Sequence, residues 1–508
     1  MKRKVIGLLL GSLLFNYVFW GESLGINLFL FSLFLTLFAV PFRLVKTDRH
    51  VQVLALGALL TGFSVLFIHS TMSVVIHILS MVLLITFANQ AGREILKSIW
   101  YAIPTLVHNL LLIPKNMRDG INHSQPEGIP AKGLLRFLKL SVFPLIVVAV
   151  FFILFRVANP IFYDFSTDFL DYVGAYLEHL YEVLSFPRIF FFLSGFTLVF
   201  WALYSQHSEK FAELESRMKN IIERIRPNRP KPVSTSQATT SSHPKHSFIA
   251  LKNENRTARI MMVLVNLLLV AVNLIDIIWG WFGLEYKGDF DLTAYVHEGT
   301  YILIFSILLS MSLILYFYRR NQNFYPFQNQ LKPLTYLWIL QNAVLVISVA
   351  IRNLQYIHYY GLAYKRIGVF VFLTLVLFGL YTLVLKVKDR KSAYYLIRWN
   401  SWSIYAAFIA ISLFNWDGII LRHNLKLAYP QNLDIEFLVS LSDKTLPLLD
   451  QNRQILDIEN WQQPNNNFHY QLESRIQDFK ERYESESWLS WNYQDMRAYH
   501  HFGAQTYH

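Results

Sequence analysis

Cysteine is absent from the 508 residues. Its absence excludes disulfide frameworks, Cys-ligated zinc, iron–sulfur clusters and thiol nucleophiles. Charge is scarce: Asp, Glu, Lys and Arg make up 16% of the chain, against about 25% in an ordinary soluble domain, which excludes a single water-soluble globule. The chain also lacks GxxxxGK[ST], HExxH, GxSxG and dinucleotide glycine patterns, so neither a nucleotide motor nor a familiar hydrolase is supported, and no cofactor is expected. What is there is apolar. Hydrophobic residues reach 54% and aromatics 16%, too much for intrinsic disorder, and the mean hydropathy is +0.32.

The apolar residues fall into eleven runs, at 5–20, 25–42, 51–69, 71–89, 138–158, 189–204, 257–281, 299–318, 335–351, 367–385 and 402–420. Most approach the roughly 20 residues that cross a hydrocarbon core of about 30 Å. Lipid offers free backbone groups no partner, so spans are helices or closed barrels, and barrel strands are about ten alternating residues. The expected fold class is therefore all-α: a polytopic transmembrane helical bundle of eleven spans with a soluble C-terminal tail of short helices. Asp417 makes the last run the weakest.

Lys and Arg in short loops mark the cytoplasmic side. Lys2, Arg3 and Lys4 put the N-terminus inside. Continuing the alternation puts Arg43, Lys46, Arg49, then Arg93, Lys97, Lys115 and Arg118, then residues 206–256, Arg319, Arg320, Lys332, and finally Lys386, Lys388, Arg390 and Lys391 inside as well. Eleven crossings leave the C-terminus outside. Residues from Trp416 onward hold 13 acids and 8 bases, whereas the whole chain carries +12. The basicity is topological, and nucleic-acid binding is not expected. The first apolar run has no small-residue cleavage site after it, so it reads as a retained span and not a signal peptide.

Four regions follow: 1–205, a six-span membrane region; 206–256, a cytoplasmic helix and disordered linker; 257–420, a five-span region; and 421–508, an extracytoplasmic tail. Within them, residues 98–114 read as an interfacial or re-entrant helix, 164–185 as an amphipathic helix on the outer surface, and 226–247, with Pro, Ser and Thr, as a tether. His77 reads as a helix-packing group. His500, His501 and His508 lack metal-ligand spacing.

Ionisable residues inside a membrane are costly, about 2.5 to 3.5 kcal/mol at the centre even on an insertion scale, and mark functional sites. Here they gather at one level. Asp276, Arg352 and Asp417 each lie about 22 to 29 Å from the cytoplasmic end of their run at helical rise. His297 and Glu298 open the eighth span from outside, and Lys365 and Arg366 open the tenth. Arg352, Lys365 and Arg366 break the positive-inside trend. The candidate site is an outward-facing polar cluster of Asp276, His297, Glu298, Arg352, Arg366 and Asp417, in which Asp276 and Glu298 neutralise Arg352 and Arg366 and His297 titrates near neutral pH. The alternative is that the same residues snorkel or pair merely to fix helix packing.

Several stretches of the second half carry a resemblance. They are Asn253-Glu254-x-Arg256-Thr257, His297-Glu298-Gly299-Thr300-Tyr301, Arg352-x-x-x-Tyr356-Ile357 with Tyr360-Gly361-Leu362 and Arg366, and Arg422-His423-Asn424 with 433–438 and Leu441-Ser442-Asp443. Over about 253–449 the chain resembles the bacterial multi-pass family catalogued as domain of unknown function 4173, with its relative 4153. It departs from the family's Gly-Leu-Thr-x-x-Arg pattern in having Ala363-Tyr364-Lys365 before Arg366. The resemblance implies a bacterial inner-membrane location and no established activity.

Three classes of function stay open. A transporter or channel would use the outward polar cluster. A sensor or assembly scaffold would use the tail and the linker to bind protein partners. An enzyme is the least supported, because Glu298 and His297 are adjacent in sequence and diverge by about 100° on a helix. The partner expected in every case is the lipid bilayer.

Overall fold

The computed structural model describes residues 2–89, 186–204, 218–224, 244–281, 292–426, 433–454 and 468–504, together with isolated positions between 95 and 170 and Leu456. The expected re-entrant helix at 98–114, the span at 138–158, most of the outer helix at 164–185, and most of the cytoplasmic helix and tether lie outside these residues. Among the described residues every regular element is helical, and the one β-bridge joins Ile221 to Lys391.

Each described apolar run folds as a helix. In chain order these are α1 Lys2–Phe19, α2 Ile26–Ala39, α3 Phe42–Thr47, α4 Arg49–Phe67, α5 Thr71–Asn89, α6 Phe186–Tyr204, α7 Pro244–Ile275, α8 Leu292–Phe317, α9 Leu331–Tyr360 and α10 Tyr364–Asp389. The eleventh run differs from expectation: it is broken into α11 Ala393–Ser412 and α12 Trp416–Asn424, which meet at 64°. The break has a local cause. Asn415 accepts from the Gly418 amide at 3.2 Å and so starts a new helix where an unbroken span would have needed it mid-turn. Six helices are long and apolar enough to cross a membrane, or seven if the bent pair is one span, while 4–19, 26–39 and 302–317 are shorter apolar helices. Among the described residues six or seven helices have full spanning length, so the expected count of eleven is not confirmed.

The chain forms two compact units, Met1–Ala212 with Ser485–Tyr493, and Glu213–Glu484 with Gln494–His508. In the first, small residues let helices approach closely. A Cβ on Gly195 of α6 would lie 2.1 Å from the Phe15 ring of α1, and one on Gly11 would lie 2.8 Å from Val199 and Phe34. Phe15 in turn packs within 5.5 Å of Phe19, Phe31 and Phe191, centroid to centroid. His77 is buried and shares a 3.1 Å hydrogen bond with Thr61 between α5 and α4. At the α1–α2 turn the unit holds a piece of the tail. Ile26 N–H donates to Trp491 O at 3.0 Å, Ser23 N–H to Ser490 Oγ at 3.0 Å, and Ser490 Oγ to Glu22 at 2.7 Å.

In the second unit α7 to α10 share a core built on Trp338, Tyr318, Ile307, Met262 and Leu383, all nearly inaccessible. One end of this bundle gathers the basic loops. Ile222 N–H donates to Arg390 O and Ser392 N–H to Asn220 O, and Arg390 lies over the Phe324 ring. The opposite end carries the tail: α13 Ile435–Val439, α14 Leu446–Gln451, α15 Phe468–Ser485 and α16 Tyr493–Ala504. These close a second core around Leu438, Leu446, Leu449, Phe468, Leu472 and Phe479, with Leu362 and Ile367 of the helical bundle packed against it. At its surface the Tyr499 hydroxyl donates to Glu484 at 2.9 Å, which pushes its pKa up.

Candidate functional site

Asp276 stands where α7 gives way to a π-helical segment, Asp276–Trp281. Such widened turns recur at functional positions, and this one carries the carboxylate to Arg352 of α9, with which it forms a salt bridge. Both side chains are buried, 7% and 10% exposed. A buried pair of this kind recovers its desolvation cost only with good geometry and further hydrogen bonds, and here Asp276 Oδ2 accepts nothing from the described residues.

The pair ends a polar seam that was not foreseen. Along the α7–α9 contact, Asn266 Nδ2 donates to Leu334 O at 3.0 Å, and Gln341 Nε2 donates to Asn266 Oδ1 at 2.6 Å. Asn273 Nδ2 donates to Gln341 O at 3.1 Å, and Trp281 Nε1 to Ser348 Oγ at 3.0 Å. The contacts Leu334, Gln341 and Ser348 recur every seven residues, as do Asn266 and Asn273, the spacing that keeps one face of a helix on its neighbour. That heptad of uncharged polar residues inside apolar runs is the signal a search for charge passes over. Two further oxygens on the seam, Asn273 Oδ1 and Gln341 Oε1, accept no hydrogen bond from the described residues. Buried carbonyl and carboxylate oxygens without donors are costly, so the three on this seam, Asn273 Oδ1, Gln341 Oε1 and Asp276 Oδ2, form a set of acceptors suited to water or a small cation.

The other predicted residues go elsewhere. Arg366, at the start of α10, donates to the carbonyls of Tyr360 and Gly361, lies 4.4 Å from the Tyr356 ring centroid, and offers its own carbonyl to Asn353 Nδ2 at 2.9 Å. It closes the α9–α10 turn by holding carbonyls that the end of α9 leaves without helical partners. Asp417 turns to the tail: Lys444 Nζ lies 2.6 Å away and Ser442 Oγ donates at 2.5 Å. This second pair is also buried, Lys444 at 2% and Asp417 at 6%. The tail thus supplies the base for Asp417, and backbone oxygens accept from Arg366, beside the expectation that Glu298 and Asp276 neutralise Arg366 and Arg352. His297 and Glu298 lie in the early turns of α8, and their side chains are outside the described residues. Of the tail histidines, His501 Nε2 sits 3.0 Å from Asp450 Oδ2.

Several residues that carried the family resemblance interlock at this end. Asn424 Oδ1 accepts from Leu362 N–H at 2.6 Å while its Nδ2 donates to Leu362 O at 2.9 Å. Gly361, at φ +75°, leaves the space that Asn424 fills.

No curated protein and no solved structure matches the chain. A model of a domain of unknown function, DUF4153, matches residues 51–452, which extends the likeness well upstream of the motif-bearing half and selects the second of the two related families named from the sequence. By that match, over most of its length, the chain belongs to the DUF4153 family.

Proposed function

We propose that the chain is a multi-pass transporter or channel of the bacterial inner membrane, in which the α7–α9 seam carries protons or a small cation to an outward-facing site at Asp276 and Arg352. The observation that carries this reading is the row of buried acceptors ending in a carboxylate whose second oxygen has no donor among the described residues. A buried carboxylate paired with a guanidinium inside a membrane bundle is the kind of group on which ion and proton pathways are built.

The orientation assigned is N-terminus in the cytoplasm and C-terminal tail outside. It is supported by the contact of Ser485–Tyr493 with the turn that follows α1 and by the basic loops that meet at the end of α7–α10 away from the tail.

The test is proton flux in liposomes holding purified chain and an internal pH dye, driven by a potassium diffusion potential. Wild type should acidify or alkalinise the lumen with the sign of the potential, and Asp276→Asn, eluting as the same monodisperse species, should abolish the response. Equal flux in wild type, Asp276→Asn and protein-free liposomes contradicts the reading. A second reading, an assembly scaffold or sensor acting through its tail or cytoplasmic linker, is favoured by the tail's own hydrophobic core and its lock onto Leu362. It predicts a stable membrane neighbour on co-purification.

A further inference from the structure

The first unit contains an apolar crevice of about 410 Å³ between α2, α4 and α5, within the range of small-molecule sites. Its walls include Phe29, Val40, Ala58 and Leu84. The two hydroxyls on its wall are turned inward to their own helix, Ser32 donating to Phe29 O at 2.8 Å and Thr36 to Ser32 O at 2.8 Å, so the wall offers a ligand only hydrocarbon and a thioether. Leu33, Leu37 and Leu59 on its edge are 41%, 59% and 46% exposed, which fits an opening toward lipid.

One end of the crevice is chemically different. Its lining passes from Val40, at the end of α2, to Val45 in α3. Beside Val45 the chain presents Arg43, Lys46 and Arg49, all exposed. The acid among them, Asp48, accepts from His50 N–H at 2.8 Å as the cap of α4. An apolar slot whose lining ends in a basic, exposed stretch of chain is complementary to one class of molecule: an acyl chain attached to an anionic headgroup.

We infer that this crevice is a specific site for an anionic phospholipid, with an acyl chain between α2, α4 and α5 and its phosphate on Arg43, Lys46 and Arg49. The site is separate from the α7–α9 seam and does not depend on the transport reading.

The test uses full-length chain purified in detergent, with phosphatidylglycerol, phosphatidylcholine and inorganic phosphate as probes. The readouts are retained lipid by native mass spectrometry and thermal midpoint. Phosphatidylglycerol should be retained and raise the midpoint, and phosphatidylcholine should do neither. The triple variant Arg43→Gln, Lys46→Gln, Arg49→Gln should bind on the order of 100-fold more weakly, at about fivefold for each base. Ala58→Phe should abolish retention by filling the slot, and Leu59→Trp at the exposed edge gives the same test without touching a buried position. Equal retention of both lipids, undiminished binding in the triple and crevice variants, or a shift reproduced by inorganic phosphate alone would each overturn the assignment.

Discussion

Asn424 grips Leu362 through both backbone groups, accepting from its N–H at 2.6 Å and donating to its C=O at 2.9 Å. One side-chain amide thereby replaces the pairing a neighbouring strand would provide, and it fastens the end of α12 to the α9–α10 turn. Asn424→Ala leaves both groups of Leu362 without that partner and should cost about 1 to 3 kcal/mol. It should appear as faster proteolysis of the tail with the bundle intact. Gly361→Ala acts on the same lock. Its Cβ would sit 2.6 Å from Asn424 Oδ1 at φ +75°, so a loss of at least about 1 kcal/mol is expected.

The Asp276–Arg352 pair calls for a double-mutant cycle. Removing one partner strands a buried charge, so Arg352→Ala should destabilise by about 3 to 5 kcal/mol, and Asp276→Asn by less, because the amide still accepts from Arg352. The pair Asp276→Leu, Arg352→Met should recover much of the single-variant loss in thermal midpoint while remaining inactive. Additive losses would show that the two side chains are not coupled.

Lys444 and Asp417 allow the same reasoning in the tail. Asp417 Oδ1 already accepts nothing from the described residues, so Lys444→Met leaves the carboxylate with Ser442 as its one identified partner, at about 3 kcal/mol or more. Lys444→Met combined with Asp417→Asn should restore most of the thermal midpoint.

The turn between α1 and α2 can be tested by chemistry, because the chain has no cysteine of its own. Ser23→Cys with Ser490→Cys should form a disulfide under mild oxidation, since Ser23 N–H reaches Ser490 Oγ at 3.0 Å. Gly25→Val, whose Cβ would meet Ser490 O at 2.4 Å, should suppress it. An uncrosslinked pair in otherwise folded protein would place the tail elsewhere.

How much of this was legible in the sequence depends on the kind of interaction. Apolar length announces a helix directly, so α4, α5 and α10 could be read with their ends within a few residues, whereas α9 runs on to Tyr360 past the end of its apolar run. Charge is equally visible in a sequence, and Asp276 and Arg352 stand out because both are out of place in a span. The seam of Asn266, Asn273, Gln341 and Ser348 was not seen, since uncharged polar residues barely lower the apolarity of a run. The partners of Asp417 and Arg366 were also beyond reach: one is a lysine in the tail, brought near by folding, and the other is a pair of backbone carbonyls with no side-chain signature. The break before α12 is foreshadowed by Asp417, which weakens the run, but its position is set by Asn415, a capping residue that is equally at home in a continuous turn.

The outward-facing site requires the tail and the basic α10–α11 turn to lie on opposite sides of the membrane. Single cysteines at the exposed positions Glu481 and Lys388, treated in intact cells with a maleimide that passes the outer but not the inner membrane, test this directly. Labelling of Glu481→Cys with protection of Lys388→Cys until the inner membrane is opened is the predicted result. Labelling of Lys388→Cys in intact cells, or protection of Glu481→Cys, would contradict the account.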